Sequence, residues 1–152
     1  MNGVSKAFAM TGWRLGYAGG PEWLITAMRK VIGQTTSCAS SITQAASIAA
    51  LEGPQAFLTH WVSTYRVRRD YVVKRLNAMP GVSCQAPDGA FYVFAKLDTD
   101  NDVAWCERAL QDAHVATVPG SAFHAPGHVR LSYATSMERL VEAMDRLDTF
   151  LT

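Results

Sequence analysis

Apolar positions along the chain follow two rhythms. A helical rhythm dominates the first half, and a mixture of helical and strand rhythms fills the second. Residues 13–17 are short and partly apolar, which predicts a buried strand broken by Gly19-Gly20-Pro21. Pro21 suits a first helical turn, and Leu24, Ile25, Met28, Val31 and Ile32 then recur at helical spacing until Gly33. A small polar loop over 35–41 leads to an Ala-rich helix over 42–51, which stops at Glu52-Gly53-Pro54. The longest periodic stretch covers about 55–79. Trp61, Tyr65, Val72, Leu76 and Met79 keep to one face, basic residues decorate the rest, and Pro80-Gly81 ends it.

Beyond it the pattern changes. Residues 82–84 and 90–97 predict strands joined through Pro87-Asp88-Gly89. Val103, Cys106 and Leu110 mark a helix with Asp102 as its N-cap. Residues 115–118 and 129–133 predict two more strands. The spacing Thr135-x-x-Glu138 predicts a capping box before a last amphipathic helix carrying Leu140, Val141, Met144, Leu147 and Leu151.

Composition narrows the function classes more than it names one. At 152 residues, with 49% hydrophobic and 18% charged positions, the chain is an ordinary globular sequence. A net charge of +1 argues against nucleic-acid or membrane binding through bulk charge. No apolar run reaches the roughly 20 residues that span a bilayer, and residues 1–6 lack a signal-peptide layout, so a cytoplasmic protein is expected. Cys38, Cys84 and Cys106 lack metal-ligand spacing and are expected to be reduced packing residues. His60, His114, His124 and His128 share no ligand spacing, and no metal site is expected. Trp13, Trp23, Trp61 and Trp105 are expected to anchor a core or an interface. Met1 opens almost directly on a dense Lys/Gly/Trp/Arg segment, so the chain is expected to be part of a longer polypeptide.

That segment, residues 5–17, carries the candidate chemistry. Lysine is the side chain that forms an imine with an aldehyde. Arg14 supplies a planar, permanently charged fork for a phosphate or carboxylate, and Gly12 and Gly16 permit a tight backbone around it. Met singly, these are ordinary surface charges; their order and spacing are not ordinary. Ser5-Lys6-Ala7-Phe8-Ala9-Met10-Thr11-Gly12-Trp13-Arg14-Leu15-Gly16-Tyr17 closely resembles the signature of the class I/II, fold-type I aminotransferases, which depend on pyridoxal 5'-phosphate (PLP). The resemblance implies that Lys6 bonds the cofactor covalently and that Arg14 binds its phosphate, with Ser5 assisting. One departure is Gly3, where many members carry a phosphate-binding hydroxyl.

The likeness continues to the far end. Residues 87–94 are similar to the family's Pro-x-Gly-Ala-Phe-Tyr strand. Val118-Pro119-Gly120-Ser121-Ala122-Phe123, followed by His128-Val129-Arg130-Leu131-Ser132-Tyr133, resembles the loop and strand that close its active site. By that match Arg130 forks onto the substrate α-carboxylate, and its flanking Val129 and Leu131 place it on the opposite strand face.

The resemblance implies an α/β fold in which residues 1–75 are the end of the large PLP-binding domain with its linking helix. Residues 76–152 are then the mixed α/β small C-terminal domain. It implies amino-group transfer from an amino acid to a 2-oxo acid in a homodimer of amino acid metabolism, of the aspartate-aminotransferase-like group. The family's other cofactor contacts precede its lysine and have no counterpart here, so the isolated chain is expected to bind PLP poorly and not to turn over. Two alternatives are a non-catalytic module of a PLP-sensing transcription regulator and a related fold-type I lyase.

Overall fold

The computed structural model describes all residues, Met1–Thr152, and is α/β throughout. The chain divides into two compact units, Met1–His60 and Trp61–Thr152.

The first unit opens with a two-residue ladder. Strands β1 (Asn2–Gly3) and β2 (Gly16–Tyr17) are antiparallel, with Asn2 opposite Tyr17 and Gly3 opposite Gly16. Between them lies a 3-10 turn at Thr11–Trp13. The buried strand expected over 13–17 is therefore shorter, and both of its residues are exposed. A pair of such short strands has no room for an inward face. Helices α1 (Glu22–Thr35) and α2 (Ser41–Glu52) follow. Pro21 stands just before α1 as its N-cap rather than inside it, and Gly33 lies within the helix instead of closing it. Periodicity located both helices, yet α1 buries no residue. Trp23 is 73% exposed, Val31 63% and Ile42 72%. Only Val4, Thr43 and Ser47 are buried in the whole unit.

Helix α3 (Ala56–Leu76) holds the division between the units within its length. Its last turns join the second unit, whose sheet orders as β3-β4-β6-β5 with every neighbour antiparallel. The strands are β3 (Val82–Cys84), β4 (Tyr92–Leu97), β5 (Val118–Pro119) and β6 (His128–Ser132). The Asn77 side chain mimics a strand neighbour at the open edge. It donates to the Cys84 carbonyl and accepts from the Cys84 N–H, both at 2.8 Å.

Alternation splits this sheet cleanly. Val93, Ala95 and Leu97 of β4 and Val129 and Leu131 of β6 enter the core, none more than 5% exposed. They meet Val72 and Leu76 of α3, Cys106 and Ala109 of α4 (Asp102–Gln111), and Leu140, Met144 and Leu147 of α5 (Met137–Leu151). Tyr133, 2% exposed, closes the core end and donates its hydroxyl to the Ala90 carbonyl at 3.0 Å. The opposite face carries Tyr92, Phe94, Lys96, His128, Arg130 and Ser132.

Two helix starts differ from expectation by one residue. Asn101, not Asp102, caps α4 by accepting from the Ala104 N–H at 3.0 Å. Ser136, not Thr135, caps α5 by accepting from the Arg139 N–H at 3.4 Å. In α4 the buried face is Asp102, Cys106 and Ala109, while Val103 and Leu110 are exposed. Of the tryptophans, Trp13 and Trp23 are exposed, whereas Trp105 packs against the core and meets Phe150 edge-on at 5.6 Å. Cys84 and Cys106 are buried free thiols, and burial pushes both above the ordinary thiol range. Cys38 is exposed.

Candidate active site

The β1–β2 ladder pins the two ends of the Lys6 segment side by side, so everything from Val4 to Leu15 forms one closed loop. The ladder is tight. A Cβ on Gly3 would lie 3.1 Å from the Leu15 carbonyl oxygen, so a side chain there requires Leu15 to yield. This is the physical counterpart of the missing hydroxyl at Gly3.

After Val4, which is fully buried, the chain makes successive turns. The Phe8 N–H donates to the Val4 carbonyl at 3.3 Å, and the Ala9 N–H donates to that of Lys6 at 3.2 Å. Lys6 stands exposed on the turn, with Ser5 half-buried beside it. The chain then coils through Thr11–Trp13 and reaches Arg14 in the left-handed conformation, φ 52° and ψ 53°. A non-glycine residue adopts that conformation only at a cost. Arg14 turns its guanidinium back on the coil, where Nη1 donates to the Thr11 carbonyl at 2.8 Å. Its side chain is exposed and its other N–H donors have no protein acceptor. The structure thus brings Ser5, Lys6 and Arg14 onto one loop.

Arg130 belongs to the second unit. It stands opposite Phe94 and Val118 in the sheet, on the face away from the core as alternation predicts. Its guanidinium makes neither a hydrogen bond nor an ion pair within the chain. It is held between two rings instead, with the guanidinium carbon 4.4 Å from the centroid of Tyr92 and 4.4 Å from that of Phe123. Phe94 supports this stack, edge-on to Phe123 at 6.2 Å and stacked on His128 at 5.1 Å.

Tyr92 and Phe123 are the residues that reading the sequence missed. Tyr92 was recoverable, because alternation along residues 90–97 and 128–132 puts Tyr92, Phe94 and Arg130 on one face. Phe123 falls within the motif that resembles the active-site loop, but its contact with Arg130 depends on the fold of that loop over 118–128.

Comparison with known proteins now decides the family. Residues 1–147 match the model of aminotransferase class I and II. The chain belongs to that family. Against the aspartate aminotransferase of Rhizobium meliloti (strain 1021) it is 52% identical, covering 97% of this chain and 39% of that protein. Against that of Thermotoga maritima it is 49% identical, covering 99% and 39%. The crystal structure of the Rhizobium meliloti enzyme superposes with a TM-score of 0.91 at 51% identity, covering 97% of this chain and 40% of that one. An alanine aminotransferase from Pyrococcus furiosus gives 0.90 at 39% identity, covering 99% and 41%. The chain therefore spans about 40% of the length of the aminotransferases it matches. The fold is that of a fold-type I aminotransferase, of which part is present.

Proposed function

We propose that this chain supplies the cofactor lysine and the carboxylate-binding arginine of a PLP-dependent aminotransferase. The reaction is transfer of an amino group from an amino acid to a 2-oxo acid. The observation that carries the proposal is the loop whose two ends the β1–β2 ladder pins side by side, and which carries Ser5, Lys6 and Arg14.

The donor set of that loop fits the cofactor. Lys6 offers a primary amine for an aldehyde carbon. Arg14 offers a guanidinium with donors to spare after its bond to Thr11, suited to a phosphate. Ser5 is close enough in sequence to add a hydroxyl. PLP, when bound, supplies the electron sink that lets a bond at the substrate Cα break. Arg14 would anchor its phosphate. Lys6 Nζ would take the proton from the substrate Cα as general base and, as general acid, deliver it to the cofactor carbon. Arg130 orients the substrate by forking onto its α-carboxylate.

Lys6 is exposed, so exclusion of water from this chemistry has to come from polypeptide packed over the loop. The uncovered apolar residues of α1 and α2 support the same view. The working enzyme needs further large-domain sequence and a second subunit, with residues 1–75 as the end of the large domain and 76–152 as the small one. The isolated chain is inactive. Relatives named for aspartate make aspartate the first amino donor to assay.

The test is a chimera in which this chain replaces the matching segment of the Rhizobium meliloti enzyme. The chimera is expected to transfer the amino group of aspartate to 2-oxoglutarate, and its Lys6→Ala variant to lose that activity by at least a thousandfold. A Lys6→Ala variant that retains activity overturns the proposal.

A further inference from the structure

The loop that lays Phe123 on Arg130 is fastened from a distance. Asp102, the first residue of α4, is 2% exposed. Its Oδ2 accepts the Ser121 N–H at 2.7 Å, and its Oδ1 accepts the Ser121 hydroxyl at 2.6 Å. Asn101 already caps the helix, so the buried carboxylate is left to hold the loop. A charge taken out of water is costly unless its hydrogen bonds are made. Here the side-chain and loop bonds are both made to Ser121.

Beyond Ser121 the loop has little freedom. The Ala125 N–H donates to the Gly120 carbonyl at 3.0 Å and the His124 N–H to that of Ser121 at 3.1 Å. A Cβ on Gly120 would collide with the Ala125 carbonyl oxygen and come within 2.7 Å of the His128 Cβ. The backbone of the loop therefore lies directly on the start of β6. Phe123, two residues after Ser121, lies against the Arg130 guanidinium, as Tyr92 does, each ring centroid 4.4 Å from its carbon. Contact with two rings leaves the N–H donors of the guanidinium unspent.

We propose that Asp102 is a positioning residue: by holding Ser121 it sets the Phe123 ring on Arg130 and fixes the plane in which the guanidinium meets a carboxylate. The last step rests on the reading of Arg130 as the substrate-carboxylate ligand. The coupling of Asp102 to Arg130 stands apart from that reading.

Nitrogen-15 NMR of the arginine side chains of the full chain tests both. Stacking between two rings displaces the Arg130 Nε–H resonance upfield. Asp102→Asn can still accept from the Ser121 N–H and donate to its hydroxyl oxygen, and is expected to keep the displacement. Asp102→Leu is expected to lose at least half of it, with the Val93 and Leu131 amide resonances in place to report an intact core. Full displacement in a folded Asp102→Leu chain overturns the proposal. Should that variant not fold, Ser121→Ala decides: it removes the hydroxyl bond alone, so a partial loss supports the coupling and no change overturns it. Succinate titrated into the PLP-loaded chimera, where the rest of the site is supplied, is expected to shift the same resonance. If it does not, the carboxylate role of Arg130 falls while the coupling to Asp102 is judged on the variants.

Discussion

The guanidinium carbon of Arg130 and the ring of Phe123 lie 4.4 Å apart across the outer face of the sheet, and no acidic residue competes for the arginine. The charge is held in place by π-faces, which orient it without consuming its hydrogen-bond donors. Lysine cannot substitute, because an ammonium has no plane to stack and no fork to offer. In the chimera, Arg130→Lys is expected to cost about 1.5–3 kcal/mol, the range for a hydrogen-bonded charge. Steady-state kinetics would read this as a rise in KM for aspartate of roughly ten- to a hundredfold. An unchanged KM would remove Arg130 from the site.

The second unit has a continuous core, and its most enclosed residues set its stability. Leu147 is 1% exposed and belongs to the cluster that includes Val93, Val129 and Met144. Leu147→Ala is expected to lower the unfolding free energy by about 2–5 kcal/mol, measured by urea denaturation. A change below 1 kcal/mol would mean that α5 is not seated on the sheet in solution.

Asp102 gives the stability of the second unit a definite pH dependence. The Ser121 hydroxyl, then the Ser121 N–H, hold its carboxyl below the usual aspartate range, against desolvation, which pulls the other way. The folded pKa thus lies below the unfolded one. The stabilisation is complete above the unfolded value and is lost as pH falls through the folded one. Acid titration of unfolding is expected to show the unaltered chain losing stability faster than Asp102→Asn below the usual aspartate range. Parallel curves would show that the bonds to Ser121 are absent.

What the sequence made legible, and what it hid, divides along the same physical line. Local signals were readable: the periodicity of α1, α2, α3 and α5, the turn before β4, and the alternation that turns Arg130 away from Val129 and Leu131. Dense, ordered identities around Lys6 and Arg14 identified the family. Signals that depend on a distant partner were not readable. Asp102 looks like a cap because it opens a helix, yet its carboxylate is taken by Ser121 and the cap passes to Asn101. The apolar positions of α1 promise burial that this chain does not provide, since periodicity reports a face to be covered and not what covers it.

That uncovered face has a consequence in solution. Leu24 and Val31, seven residues apart on α1, lie on one side of the helix, 39% and 63% exposed. Ile42 and Ile48 of α2 are 72% and 54% exposed. Large apolar side chains left exposed on both helices favour association. Sedimentation is expected to find the isolated chain heavier than its 16.6 kDa monomer. Replacing Leu24 and Val31 by glutamine is expected to shift it toward that mass.

The proposed chemistry centres on Lys6, and one measurement addresses it directly. The chimera is loaded with PLP, treated with borohydride to fix any cofactor–lysine bond, digested, and mapped by mass spectrometry. The pyridoxyl label is expected on Lys6. A chimera that holds PLP but carries the label on Lys30, Lys74 or Lys96, with Lys6 unmodified, would contradict it.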